Sequence, residues 1–161
     1  MSLGELDHIA FRVKDIEPVV KMYTETMGFE VVQELVFDLE GSKVRSKLLN
    51  LPGTKFLIFV DMGTQEGDIL SEWVKEHGNA IHHMAYRVED IHKSFEELKA
   101  KGMKFTTDKV IDTGGGLKQL FSHPHPETGL ITELIKREKD DIFFVQENVE
   151  ELIKSTNKFN K

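Results

Sequence analysis

The segment Ile81-His82-His83-Met84-Ala85-Tyr86-Arg87-Val88-Glu89-Asp90-Ile91 repeats an earlier one, Leu6-Asp7-His8-Ile9-Ala10-Phe11-Arg12-Val13-Lys14-Asp15-Ile16, without a gap and at an offset of about 75 residues. His8 matches His83, Ala10 matches Ala85, Arg12 matches Arg87, Val13 matches Val88, and the Asp-Ile pair recurs. The period is too long for a solenoid, so the chain reads as two copies of one folding module. Each copy opens with a strand that carries a histidine at the same place. The 161 residues suit two small half-domains sharing a core, or one compact domain.

Alternation and punctuation give the elements of each copy. Leu6 to Val13 reads as a strand with Ile9, Phe11 and Val13 on one face and His8, Ala10 and Arg12 on the other. Asp15 is placed to cap a helix whose stripe is Ile16, Val19, Val20 and Tyr23, with Pro18 in its first turn and Gly28 at its stop. Phe29 to Phe37, Lys43 to Leu49 and Thr54 to Val60 follow as strands, separated by turns at Leu39–Ser42 and Pro52-Gly53. Lys43, Arg45 and Lys47 alternate on one strand face; a solvated face is favoured over a phosphate site. Asp68 to His77 reads as a linker helix ended by Gly78. The order then repeats: strand Ile81–Val88, a helix capped by Asp90 and ended by Gly102, strand Met103–Thr107, a glycine-rich bend over Val110–Gly116, strand Leu117–Ser122, a turn, and strand Leu130–Ile135. The tail carries Ile142 to Val145 and then Val149, Leu152 and Ile153 at roughly helical spacing. It is expected to pack on its own domain and to fray from about Ser155.

Composition closes several routes. The absence of cysteine removes disulfides, thiolate nucleophiles and zinc-thiolate sites and leans toward the cytoplasm. A net charge of -7 argues against a nucleic-acid partner. No apolar run approaches the ~20 residues of a spanning helix, and no basic-then-apolar leader opens the chain.

A duplicated strand-helix-strand-strand-strand unit, with a histidine in its opening strands and a carboxylate in its closing one, resembles the vicinal oxygen chelate superfamily. The resemblance rests on Leu6-Asp7-His8-Ile9-Ala10, His82-His83-Met84-Ala85 and Leu130-Ile131-Thr132-Glu133-Leu134, and covers residues 5–137. It implies an α+β fold: paired βαβββ modules (5–62 and 80–137, with a linker helix at 66–78) form an open barrel-like metal cleft, followed by a C-terminal helical extension over 138–161. It also implies one divalent metal ion (cobalt, manganese, zinc, nickel or iron) held by His8, His83 and Glu133. His83 is preferred to His82 because it matches the family ligand and shares a strand face with Ala85 and Arg87, as His8 does with Ala10 and Arg12.

Coordination chemistry points the same way. Neutral imidazoles with a carboxylate hold a first-row divalent metal and leave positions open to substrate oxygens, where the ion acts as a Lewis acid for a developing enolate. Glyoxalase I and methylmalonyl-CoA epimerase usually add a fourth protein ligand from the last strand of the first module; aligned on Thr54, that position is Leu57, which cannot ligate. The stretch Leu117-Lys118-Gln119-Leu120-Phe121 resembles the strand of 4-hydroxyphenylpyruvate dioxygenase with a substrate-side glutamine, which implies that Gln119 lines a substrate pocket; the apolar face of Leu57 and Phe59 could line a pocket in a ligand-binding relative of this fold.

The second-module strand, together with Gly115-Gly116, Ser122-His123-Pro124 and Thr128-Gly129, looks most like the epimerase branch. The expected function is therefore a metal-dependent isomerase that inverts a carbon α to a thioester, acting on a small-molecule substrate such as an acyl-CoA. A homodimer without membrane or nucleic-acid partners is expected by family analogy. No residue is assigned as a catalytic base. The competing readings are a glyoxalase-like lyase, a non-haem iron dioxygenase of a 2-oxo acid, and a non-catalytic ligand binder of the bleomycin-resistance type. His123 and His125 read as an exposed turn before a second metal site. His77 and His92 read as surface residues, and Gly114-Gly115-Gly116 lacks the strand-to-helix context of a nucleotide loop.

Overall fold

A computed structural model describes residues 3–157. The fold is α+β, and its contacts divide it into two units, residues 8–82 and residues 3–7 with 83–157. The opening strand β1 (Leu3–Arg12) and the strand that opens the second repeat, β5 (Ala80–Val88), contribute residues to both.

In the unit of residues 8–82, β1 leads into α1 (Ile16–Lys21), which widens into a π-helical turn over Met22–Thr26. Asp15 caps α1 by accepting from the Glu17 amide. Strands β2 (Glu30–Leu39), β3 (Ser42–Asn50) and β4 (Leu57–Gly63) follow, in the order β2-β3-β4-β1. β2, β3 and β4 pair antiparallel, and β4 returns parallel to β1. The β2–β3 hairpin turns on Glu40 and Gly41, at φ 50° and 84°; two successive residues in the left-handed region match the right-handed twist of the flanking strands. Val13, Ile16, Val20, Phe29, Leu49, Ile58 and Val60 form the core on the helix side, with Phe11 and Tyr23 against it. That leaves His8, Ala10 and Arg12 on the other face of β1, as alternation requires. The linker helix α2 (Ile69–His77) is capped by Asp68, whose carboxylate also takes the amides of Thr64 and Gln65. Gly63 is needed there, since a Cβ would stand 2.0 Å from an Asp68 oxygen.

The other unit has the order β1-β5-β7-β6, with α3 (Ile91–Ala100), β6 (Leu117–Phe121) and β7 (Ile131–Arg137). β7 is parallel to β5 and antiparallel to β6. α3 is capped by Asp90, and its Ile91, Phe95 and Leu98 pack on Val88, Leu120 and Leu134. The expected strand at Met103–Thr107 does not form. Within it a single bridge joins Phe105 to Ser122, just past β6, and the Thr106 hydroxyl donates to the Phe121 carbonyl; further on, one bridge joins Ile111 to Gln119. The chain between them bends away at Thr107–Lys109, where the Thr107 hydroxyl donates to the Lys109 carbonyl and interrupts any ladder.

The tail departs from expectation at its start. Ile142–Phe144 are irregular, and the helix α4 spans Gln146–Thr156. Its Leu152 packs with Ile111, Phe121 and Ile131, so the tail lies on its own unit. A Cβ on Gly115 would meet Val145 at 2.5 Å, so the glycine-rich bend is the bed on which the tail rests. The fraying expected from Ser155 is not seen up to Thr156. Ser155 hydrogen-bonds Thr106 at 2.9 Å, and Thr156 is 1% exposed; residues 158–161 lie outside the described part.

Asp7 anchors the tail from below. Fully buried, it accepts from Arg87 Nε at 2.8 Å and from Arg137 Nε and Nη2 at 2.9 and 3.0 Å. Arg137 spends its remaining donor on the carbonyls of Ile142 and Phe143, and Arg87 reaches Asp140 at 2.7 Å.

Candidate metal centre

On the face of β5, β7 and β6 turned away from α3, alternation lines up His83 and Ala85, then Ile131, Glu133 and Ile135, then Gln119 and Phe121. Glu133 stands opposite Ala85 on one side and Phe121 on the other. The small Ala85 leaves room beside it, and Gln119 is its diagonal neighbour. His83 Nε2 lies 3.6 Å from Glu133 Oε1, with the two side chains 8% and 1% exposed. The His83 ring tilts against Phe121 at a centroid distance of 4.5 Å, which fixes its orientation. Gln119, 0% exposed, points its Nε2 toward Glu133 Oε1 at 3.5 Å. A chain of side chains continues from it into α4: the Asn148 amide donates to Gln119 Oε1 at 2.9 Å and to the Leu117 carbonyl at 3.1 Å.

In the unit of residues 8–82, His8 is fully buried and stands in register with Leu57 on the parallel strand β4. The place from which a fourth protein ligand was expected is therefore beside His8, and it holds an aliphatic side chain. Further along the same face, Arg12 pairs in register with Asp61, and Asp61 with Ser46. All three are buried. Burial pushes the Asp61 carboxyl up to about 6, more than the Arg12 charge pulls it down. Burial likewise lowers the Arg12 guanidinium to about 10 despite Asp61.

His83 and Glu133 in one unit, and His8 in the other, are buried side chains that each offer a metal-ligating atom. A divalent metal fits such a group. Two donors held about 2.1 Å from one ion stand about 3–3.5 Å apart. The His83–Glu133 spacing of 3.6 Å is close to that.

The remaining histidines go elsewhere. His82 packs edge-on to Trp73 at 5.3 Å, and His77 stacks on Trp73 at 4.4 Å. His125 accepts from the Glu127 amide within an exposed turn, and His92 is exposed. Lys43 pairs with Asp38, Arg45 with Glu17, and Lys47 with Glu17 and Glu34, as befits a solvated face. Sequence reasoning did not single out Asn148. Its only signal was an amide one residue before Val149, on the buried side of the tail.

Residues 7–121 match the glyoxalase/bleomycin resistance protein/dioxygenase superfamily. The ethylmalonyl-CoA/methylmalonyl-CoA epimerase of Cereibacter sphaeroides is 31% identical over 134 residues, covering 82% of this chain and 97% of that one. A methylmalonyl-CoA epimerase solved in complex with methylmalonyl-CoA and NH4+ is 26% identical, with a TM-score of 0.68 over 85% of this chain and 96% of that one. A mutant of 4-hydroxymandelate synthase from Streptomyces coelicolor shares the fold at 17% identity, with a TM-score of 0.84 over 99% of this chain and 55% of that one.

Proposed function

Since the chain belongs to the glyoxalase/bleomycin resistance protein/dioxygenase superfamily, we propose that it is a metal-dependent epimerase acting on a 2-substituted malonyl thioester such as methylmalonyl-CoA. The observation that carries this is that His8, His83 and Glu133, a donor set suited to a divalent metal, are each buried in a chain 31% identical to a named epimerase over 97% of that protein. In this reading the three residues hold one divalent ion. When bound, that ion supplies Lewis acidity to the paired oxygens of a thioester and a carboxylate, which makes the hydrogen between them acidic.

The chain's own part is placement. His83 is held by Phe121, Glu133 is flanked by Ala85 and Gln119, and the apolar Leu57 leaves positions on the ion to substrate rather than to a fourth side chain. Leu57 and Gln119 are proposed to line the substrate pocket. A homodimer in the cytoplasm completes the reading by analogy with the family; no helix among the described residues is long and apolar enough to cross a membrane.

Metal stoichiometry and turnover of a single methylmalonyl-CoA epimer test it together. The purified protein is expected to bind one divalent ion tightly and to epimerise the thioester at C2, and Glu133→Ala is expected to lose both. Unchanged metal content in Glu133→Ala would defeat the ligand assignment.

A second reading has a specific observation behind it. Two histidines and one carboxylate without a fourth protein ligand are also the facial triad of non-haem iron oxygenases, and Leu57 beside His8 fits that set. Metal dependence separates the two: zinc or cobalt supports isomerisation, whereas oxygen activation requires redox-active iron.

A further inference from the structure

The hydrogen-bond chain that begins at α4 has a fixed polarity, and one backbone carbonyl fixes it. Asn148 is 0% exposed, and its amide group faces two oxygens, the Leu117 carbonyl at 3.1 Å and Gln119 Oε1 at 2.9 Å. A backbone carbonyl only accepts. The Asn148 atom facing Leu117 must therefore be the nitrogen, whichever way an amide is first drawn. That nitrogen has a second hydrogen, and it is directed at Gln119, so the Gln119 atom that meets it must be the oxygen. The Gln119 nitrogen is thereby turned the other way, to within 3.5 Å of Glu133 Oε1. At the far end, the Thr113 hydroxyl donates to Asn148 Oδ1 at 2.6 Å and holds the Asn148 amide in this sense. Reversing any amide in the chain would set oxygen against oxygen in a site from which water is excluded, which is destabilising.

From this we infer that Asn148 is a positioning residue for the metal centre: through Gln119 it keeps an N–H directed at the Glu133 carboxylate, 3.5 Å away, and so favours one rotation of that ligand. The inference rests on the reading of Glu133 as a metal ligand and deepens it, because it makes the C-terminal helix a functional part of the site rather than a covering. Gln119 then has a defined task that needs no contact with substrate. Partners of this kind, hydrogen-bonded to a ligating carboxylate, commonly alter metal affinity about 10–100-fold when removed.

Cobalt(II) is the probe. Its affinity is measured by competition with a chromophoric chelator, and its visible spectrum is recorded, for the full chain and for Asn148→Ala, Gln119→Ala, the double variant, Thr113→Val and Glu133→Ala, with thermal melts of each metal-free protein as the check on folding. Asn148→Ala and Gln119→Ala are each expected to weaken cobalt binding about tenfold and to shift the visible bands in the same way. The double variant is expected to bind no more weakly than Gln119→Ala alone, because Asn148 acts only through Gln119. A merely structural role for Asn148 would lower the melting temperature and leave the cobalt spectrum unmoved.

Thr113→Val removes only the hydroxyl that steadies Asn148. It keeps the relay testable if Asn148→Ala does not fold, and is expected to weaken cobalt binding in the same direction by a smaller factor. Losses that multiply in the double variant, or wild-type cobalt binding in both Asn148→Ala and Thr113→Val, would overturn the relay. Loss of cobalt in Glu133→Ala alongside wild-type binding in the relay variants overturns the relay and leaves the metal reading standing. Retention of cobalt in Glu133→Ala overturns the metal reading itself.

Discussion

At the scale of residues, Leu57 is where the proposed centre departs from the four-ligand pattern. It stands in register with His8, buried to 3% exposure, where the epimerase and glyoxalase branches were expected to supply a glutamine or glutamate. Leu57→Gln places a carbonyl oxygen beside His8 at little change in side-chain volume. That variant is expected to bind cobalt or manganese about tenfold more tightly, in line with the effect of changing one group around a metal ligand, and to turn over more slowly as a substrate position closes. Isothermal titration of the metal-free protein checks it; an affinity equal to or below that of the parent would mean that residue 57 does not face the ion. The burial of His8 and His83 on equivalent strand faces was legible in the sequence because the repeat set the two histidines at equivalent positions and strand parity set their direction. The Asn148–Gln119 contact was not legible, since it joins a strand to a tail that has no counterpart in the repeat.

At the scale of elements, the helices with clean punctuation came out as the sequence implied: Asp15 and Asp90 cap the helices expected of them, while Asp68, read as the first residue of the linker helix, stands one place before it as its cap. The segment Met103–Thr107 did not pair as a strand, because its alternation competes with a side-chain turn at Thr107 and with the bend that follows, and pairing depends on neighbours a local pattern does not contain. Strand parity also hid a cost in the first module. Arg12 and Asp61 sit buried as a pair on β1 and β4, and for both groups burial outweighs their mutual attraction.

The consequence for pH follows from linkage. The folded-state Asp61 carboxyl, at about 6, lies above its ordinary value of 3.8, so folding favours the protonated form. Its contribution to stability is complete below the ordinary value and is lost as pH rises through 6. Against an Asp61→Asn variant, the parent is expected to lose about 2 kcal/mol of relative stability between pH 4 and pH 7, because each tenfold difference in proton affinity between the folded and unfolded chain is worth about 1.4 kcal/mol. Urea melts of both proteins at each pH measure this. A difference that stays flat, or that grows in favour of the parent, would mean that Asp61 is already ionised at low pH.

At the scale of the whole molecule, a chain with a net charge of -7 does not attract a polyanionic thioester by its overall field. The row Lys43, Arg45 and Lys47 is engaged with Asp38, Glu17 and Glu34. In the proposed reading, recognition rests on the reacting end, where an acyl carboxylate and a thioester oxygen would meet the ion, and the central claim is that this end carries enolate chemistry. Proton exchange at C2 of methylmalonyl-CoA in D2O, followed by NMR with the protein loaded in turn with cobalt, manganese and zinc, tests that claim most directly. The account predicts metal-dependent exchange that disappears in His83→Ala. No exchange with any of the three metals, in protein shown to be folded and loaded, would contradict it and would turn attention to iron, oxygen consumption and 2-oxo acids.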